Sequence, residues 1–165
     1  MSLGGGLDSI VTSAELEMES EASTPKRSAR SPAGKQESGE GTFMFVDGAQ
    51  YVGDFVAVGG KRIRQGKGKF IDGPELYEGE WVNDAMEGQG TYKFASGASY
   101  TGGFKANKFD GEGSYQFADG ASYKGGWREN KMHGKGVYID TDNVRWKGQY
   151  HNGKFFNGKS FVMLR

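Results

Sequence analysis

From Gly39 onward, aromatic residues and glycines alternate with polar residues. Two runs show the pattern: Tyr100-Thr-Gly102-Gly-Phe104 and Gly111-Glu-Gly113-Ser-Tyr115. Successive side chains of a β-strand point to opposite faces, so a period of two predicts strands with one aromatic–glycine face and one polar face.

The two runs recur along the chain with a period of 23 residues. Units begin at Tyr77, Tyr100, Tyr123 and Trp146, and an earlier unit at Tyr51 has four extra residues within positions 56–65. Both ends are incomplete. Gly39-Glu-Gly41-Thr-Phe43 is the second half of a unit without its first half, and Gly158-Lys-Ser160-Phe161 breaks the pattern. Residues 39–165 are therefore predicted to form an array of about five units with atypical ends.

Short turns such as Asp119-Gly120 separate consecutive units, and six residues such as 105–110 are expected to link the two strands within a unit. A three-residue turn with a left-handed glycine joins antiparallel neighbours. The predicted fold is all-β: a single-layer, elongated antiparallel meander of about ten short strands, aromatic on one face and wet on the other.

The expected register follows from matching the repeats. Gly102 should lie opposite Gly113 and Tyr100 opposite Tyr115, with Phe104 opposite Gly111. Across the next turn, Gly113 should face Gly125, and Gly111 should face Trp127.

Residues 1–38 differ in composition from the rest of the chain. They contain no aromatic residue and are rich in Ser, Glu and Ala, which predicts a low-complexity, mostly disordered tail. One apolar stripe follows helical spacing and predicts a short amphipathic helix at residues 7–18 that folds on contact. Its residues are Leu7, Ile10, Val11, Ala14 and Met18.

Composition narrows the function classes. The 21 basic and 21 acidic residues cancel, so nucleic acid is not an expected partner. The absence of cysteine excludes thiolate chemistry and disulfides and agrees with a cytoplasmic location. No apolar run approaches a membrane span, and no signal peptide is evident.

Candidate catalytic groups are few. The two histidines, His133 and His151, are expected in hairpin loops of neighbouring units, where a metal site would also need carboxylates such as Asp110 or Glu129. Neither a metal site nor a nucleophile–base set is discernible, and the Gly-x-Gly runs lack the strand–loop–helix context of a phosphate site. The sequence predicts a protein that is not an enzyme and takes no cofactor.

The repeat Tyr-x-Gly-x-(Phe/Trp) followed by Gly-x-Gly-x-(Tyr/Phe) resembles the MORN repeat over about residues 39–160. A chain that is almost all repeat is similar to the small MORN proteins of cilia and sperm. This resemblance implies a scaffold or adaptor, in a radial-spoke-like or other microtubule-associated complex of the axoneme. Lipid contact is a further property that the resemblance implies for some members.

The aromatic–glycine face is the main candidate site. Mid-strand glycines need a reason, and two are open: neighbouring rings cover the bare backbone, or the glycine row is the floor of a groove for a partner helix. Competing occupants are the chain's own tail and a second copy in a homodimer. The predicted groove residues are Tyr77, Gly79, Trp81, Gly90, Tyr92, Tyr100, Gly102, Phe104, Gly113, Tyr115, Tyr123, Gly125, Trp127, Gly136, Tyr138 and Trp146.

A second candidate site is a column of lysines. Lys108, Lys131 and Lys154 occupy the same expected loop position in three successive units, and Lys105 and Arg128 lie nearby. Equivalent positions should be about 10 Å apart, within one Debye length. The alternative function is a peripheral membrane adaptor that binds anionic phospholipids through this column.

Overall fold

The computed structural model describes residues 37–164, which form one open antiparallel sheet of twelve strands in chain order. This confirms the all-β meander. The predicted tail disorder and the helix at residues 7–18 lie outside the described residues. The strands are β1 (Glu37–Met44), β2 (Gln50–Val58), β3 (Lys61–Asp72), β4 (Glu75–Val82), β5 (Ala85–Lys93), β6 (Ser99–Lys105), β7 (Lys108–Gln116), β8 (Ser122–Arg128), β9 (Lys131–Ile139), β10 (Arg145–His151), β11 (Lys154–Phe156) and β12 (Phe161–Val162).

The strand count differs from expectation. The sheet has twelve strands rather than about ten, because the irregular end of the repeat adds the short strands β11 and β12.

Four of the five turns between units have the predicted three-residue form, and the fifth, between β3 and β4, has only two residues, Gly73 and Pro74. The Phe117 N–H donates to the Ala121 carbonyl at 2.9 Å, and the Gly120 N–H donates to the Phe117 carbonyl at 3.1 Å. Gly120 has φ +97°, a left-handed conformation that glycine adopts without steric cost.

The turns within units are shorter than predicted. Residues 105–110 do not form a six-residue linker: β6 runs through Lys105, β7 starts at Lys108, and Ala106 and Asn107 alone make the turn. Their φ values are 46° and 65°, the positive pair that defines a type I′ hairpin. Because alanine rarely adopts this conformation, so tight a turn could not be predicted from the residues that form it.

The register is confirmed away from these tight turns and wrong next to them. Gly102 pairs with Gly113 and Gly113 with Gly125, as predicted. Phe104, however, lies opposite Phe109 rather than Gly111. A bulge places two more residues on β7 than on β6 in this stretch, and it carries Gly111 at φ +89°.

The same bulge recurs in four successive hairpins, always on the second strand, in β3, β5, β7 and β9. A bulge bends its strand and increases the local twist. Because the irregularity is repeated in register, these four hairpins share the same local bend, although the tip of β2–β3 is two residue pairs longer than the others, and equivalent side chains of successive units lie in rows.

Candidate functional site

The aromatic face is a continuous layer of rings that cover one another. Tyr100 stacks on Phe109 with ring centroids 3.8 Å apart and meets Trp127 edge-on at 5.3 Å. Tyr100 and Tyr123 are 0 % exposed. Edge-to-face aromatic pairs add to the free energy gained by burial, so this layer is the core of the sheet, over which residues 37–164 place no second layer.

Each leading tyrosine leans over the glycine pair of its own hairpin. The Tyr100 hydroxyl donates to the Gly103 carbonyl at 2.9 Å, and a Cβ added at Gly113 would overlap the Tyr100 ring. Tyr77 and Tyr123 make the equivalent bonds to Glu80 and Gly126. The mid-strand glycines are therefore required by internal packing.

The predicted groove residues all lie in this layer, and most are buried by their own neighbours. The half-buried ones are Gly79, Gly90, Gly113, Gly136 and Trp146; the buried ones are Tyr77, Trp81, Tyr92, Tyr100, Gly102, Phe104, Tyr115, Tyr123, Gly125, Trp127 and Tyr138. The rings, not the glycines, present the outer surface of the layer. The role of these residues in partner binding stays a prediction.

The accessible margin of the layer lies at the turns between units. Phe94 and Phe117 precede equivalent turns, are half-buried, and pack against the buried rings. Phe70 is also half-buried, and Phe45, its ring 5.8 Å from that of Phe70, is 41 % exposed. These phenylalanines were not among the residues predicted from the sequence to bind a partner, although Phe94 and Phe117 are 23 residues apart.

Arg64 is an unexpected member of the ring layer. Asp84 Oδ1 accepts a bond from its backbone N–H, as Asn107 Oδ1 does from Met86 and Asn130 Oδ1 from Phe109. Arg64 thus stands where other units have an apolar side chain.

The charge of Arg64 is compensated on two sides. Its guanidinium carbon lies 4.2 Å from the ring centroid of Trp81, a cation–π contact. Its Nε is 3.2 Å from Asp84 Oδ1. The first full unit therefore has a cation and a matching carboxylate where later units have Met or Phe and Asn.

The lysine column exists, but not in loops. Lys108, Lys131 and Lys154 are the first residues of β7, β9 and β11, because the tight turns extend the strands. Lys108 lies opposite Lys105, and Lys131 lies opposite Arg128.

We call the exposed cationic side chains of Lys105, Lys108, Arg128, Lys131 and Lys154 the hairpin-tip row; His151 lies opposite Lys154. Within residues 37–164 the Arg64–Asp84 pair is the only salt bridge, so none of these lysines or Arg128 is neutralised by a carboxylate at close range.

The two histidines lie on strands rather than in loops, His133 on β9 and His151 on β10. Their ring centroids are 5.1 Å apart, and the buried His133 Nδ1 has no hydrogen-bond partner. No third metal-ligating side chain joins them in the described part of the chain. No helix long and apolar enough to cross a membrane occurs between residues 37 and 164.

These features define a class: an open, single-layer β-repeat array with an aromatic core. The family model for the MORN repeat matches residues 77–99, 100–122 and 123–145. The chain is thus similar to the MORN repeat over three successive 23-residue segments. Repeats of this family suggest a module of protein–protein or membrane-lipid interaction. No curated protein matches the chain.

Proposed function

We propose that this chain is a non-enzymatic scaffold that binds a helical segment of a larger assembly along the margin of its ring layer. The observation that supports this proposal is the row of half-buried phenylalanines at the turns between units. These rings extend the buried core to the surface of a rigid array, and central aromatic groups of this kind dominate the energetics of many interfaces.

The spacing of the row favours a helix. Phe94 and Phe117 are one unit apart, and adjacent strands are about 4.8 Å apart, which gives a separation of about 10 Å. Seven residues of an α-helix advance about 10.5 Å. An amphipathic helix lying along the array can therefore place apolar side chains at i and i+7 between successive phenylalanines.

Affinity capture with paired variants tests this proposal. The double variant Phe94→Ala and Phe117→Ala should lose the proteins captured from ciliary extract by the unchanged chain while keeping its β-type circular dichroism spectrum. Val82→Ala is the control, since Val82 is 44 % exposed and follows Trp81 on the opposite face. Capture of the same proteins by both variants would contradict the proposal.

The buried tryptophans make a poorer test. Trp81 is 1 % exposed and Trp127 is 4 % exposed, so replacing them with alanine removes core packing and is expected to cost about 3–5 kcal/mol each. Loss of binding by such variants would report unfolding as much as loss of contact.

We place the scaffold in the ciliary axoneme, in a radial-spoke-like or other microtubule-associated complex. Support comes from the resemblance of the repeats to those of the small ciliary MORN proteins. Fluorescence microscopy of the tagged chain in ciliated cells tests the placement. A signal in the cell body that never enters the axoneme would contradict it.

A second candidate function is binding to anionic membranes through the hairpin-tip row. The observation that favours it is the direct pairing of like charges, Lys105 with Lys108 and Arg128 with Lys131. Like charges opposite each other destabilise a sheet, so fold stability does not explain them, whereas an anionic surface would stabilise all four.

Vesicle co-sedimentation separates the two functions. The triple variant Lys108→Glu, Lys131→Glu and Lys154→Glu should lose binding to phosphatidylserine-containing vesicles and keep protein capture. A triple variant with Glu at Lys67, Lys69 and Lys124, on the polar face, has the same net charge and is the control. Equal vesicle binding by both variants would refute a role for the row.

A further inference from the structure

The two ends of the sheet are complementary halves of one repeat unit. At one end, β10 pairs with β9 from Arg145 to Tyr150. On its other side β10 pairs with β11 only through Tyr150 and His151. In the described chain, the outer edge of β10 over residues 145–149 therefore has no strand beside it.

Other units show what belongs on that edge. On β8, Tyr123 lies opposite Tyr138 and Gly125 opposite Gly136, which come from a Gly-x-Gly-x-Tyr run. After Phe156 the present chain has no such run. It turns back instead, with the Asn157 N–H donating to the Ser160 carbonyl at 3.1 Å, and β12 pairs with β11.

The missing half is present at the opposite end. Strand β1 contains Gly39-Glu-Gly41-Thr-Phe43 and pairs with β2 on one side, with Gly41 opposite Gly53. Its other side has no neighbour within residues 37–164. Residues 1–36 contain no aromatic residue, so they do not carry a Tyr-x-Gly-x-Phe run to fill it.

The glycine row shows the same vacancy. A Cβ at Gly113 would overlap a tyrosine ring of its hairpin, whereas the atoms nearest to a Cβ at Gly41 belong to Phe43 and Phe55, each at 3.2 Å. Gly41 thus lacks the covering ring that a preceding first strand supplies elsewhere. On β10, Trp146 occupies the position of that covering tyrosine.

We propose that β10 of one copy pairs with β1 of a second copy, in the antiparallel register of an internal hairpin. Gly148 then lies opposite Gly41, Lys147 opposite Thr42 and Trp146 opposite Phe43, by analogy with Gly125, Lys124 and Tyr123 on β8. The inference does not depend on the proposed partner helix or on membrane binding.

Charge agrees with this pairing. On the polar face, β10 presents Arg145 and Lys147, while β1 presents Glu40. In the proposed register Glu40 is diagonal to Lys147, a favourable cross-strand position. The contact uses two different surfaces of the same chain, so it is heterologous and can add copies in one direction.

Disulfide trapping tests the register, because the chain has no cysteine of its own. Full-length Thr42→Cys and Lys147→Cys chains are mixed and oxidised. The mixture should give a species of twice the 17.9 kDa chain mass, and each chain alone should give far less. Lys124→Cys is the control for Lys147→Cys: it occupies the same position one unit earlier, but strands flank it on both sides.

Two results of trapping would overturn the proposal. One is a mixture that does not crosslink above the level of the Lys124→Cys control, which would assign the edges to another occupant such as the tail. The other is a predominance of Thr42→Cys self-crosslinks, which would indicate a symmetric β1–β1 dimer.

Sedimentation of chains without added cysteine gives a second test. The mass of the unchanged chain should rise with concentration, Lys147→Glu should weaken the association several-fold, and adding Glu40→Lys to that variant should restore it. Lys124→Glu should have no effect. A mass of 17.9 kDa at every concentration, or an equal effect of Lys124→Glu, would refute end-to-end pairing.

Discussion

The space around single glycines is tightly restricted in this sheet, because the backbone of one strand there contacts an aromatic ring of another strand. At Gly113 the Tyr100 ring occupies the space of a side chain. At Gly39 the same addition would make an ordinary contact, 3.5 Å from Phe55. Neither residue has a left-handed backbone conformation, so the pair isolates packing from strain.

We therefore expect Gly113→Ala to lower the free energy of unfolding by about 2–3 kcal/mol through overpacking. Gly39→Ala should change it by no more than about 0.5 kcal/mol. Urea denaturation of the two variants measures the difference. Equal stabilities would show that the Tyr100 ring moves aside without cost.

Arg64 and Asp84 form a second residue-scale pair, with a cation on Trp81 at 4.2 Å and its carboxylate at 3.2 Å. Arg64→Met introduces the side chain that Met86 and Met132 provide in other units. It removes the guanidinium beside the Asp84 carboxylate and leaves only the hydrogen bond from the backbone N–H of residue 64. We expect a loss of about 1–2 kcal/mol, and recovery when Asp84→Asn is added. A double-mutant cycle in urea measures the coupling, and additive effects would contradict it.

The tyrosines of the ring layer make stability sensitive to alkaline pH. Burial raises the pKa of Tyr51, Tyr115 and Tyr150 from 10.0 to about 12. Because the folded pKa is above the unfolded value, the stabilisation is complete below pH 10 and is lost as the pH rises through about 12. Near-ultraviolet titration should show tyrosinate appearing later than in urea-unfolded chain; coincident curves would contradict the burial.

At the scale of the element, the hairpin tip links each unit to the one before it. The Met86 N–H donates to Asn107 Oδ1 at 2.7 Å, and the Asn107 N–H donates back to the Met86 carbonyl at 3.1 Å. At the equivalent position in the last hairpin, the Gly153 N–H donates to Met132 at 2.9 Å but glycine has no side chain to accept a bond. The last hairpin is therefore joined to the unit before it by one of these two hydrogen bonds instead of both.

This difference allows the link to be removed and added at matched sites. Asn107→Gly keeps the left-handed backbone conformation and deletes the accepted bond, so stability should fall by about 1 kcal/mol. Gly153→Asn, at φ +79°, should raise it by a similar amount. Thermal unfolding of both variants measures the effect, and shifts in the same direction would disprove the linking role.

Part of each element could be predicted from sequence. The three-residue turns between units were predicted correctly where a glycine such as Gly97 or Gly120 takes the left-handed position, whereas the two-residue turn at Gly73 and Pro74 was not predicted. The turns within units were not predicted either, because Ala106 and Glu129 adopt positive φ values that their side chains disfavour. The surrounding sheet imposes that conformation together with the adjacent bulge. Because of the bulge, Phe104 pairs with Phe109 and not with Gly111 as predicted.

For the whole molecule, the order of strands and the buried face follow from the 23-residue period alone. The accessibility of that face does not. Alternation assigns Tyr77 and Trp81 to one side of the sheet, but only the orientation of the rings shows that they cover the glycines and each other. The residues proposed to contact a partner are therefore Phe94 and Phe117 at the margin of the ring layer, and not the glycine row.

The array should also differ in local stability along its length. The rings buried below 2 % exposure come from β2, β4, β6 and β8, whereas β11 and β12 are short and largely exposed. Hydrogen exchange should be slowest in β4–β9 and fastest in β1, β11 and β12, since unit stability depends on neighbours at both sides. Uniform exchange across the strands would indicate one cooperative block instead.

The repeated hairpin shape has an evolutionary consequence. The strand pairings and ring contacts of an internal unit are made within that unit or with the unit on either side, so a duplicated block of 23 residues meets the same neighbours as the original. Gene duplication can therefore lengthen the protein in steps of about 10 Å without redesigning any interface. The number of units then sets the length of the array, so the distance that it spans can change while the residues at its surface stay the same.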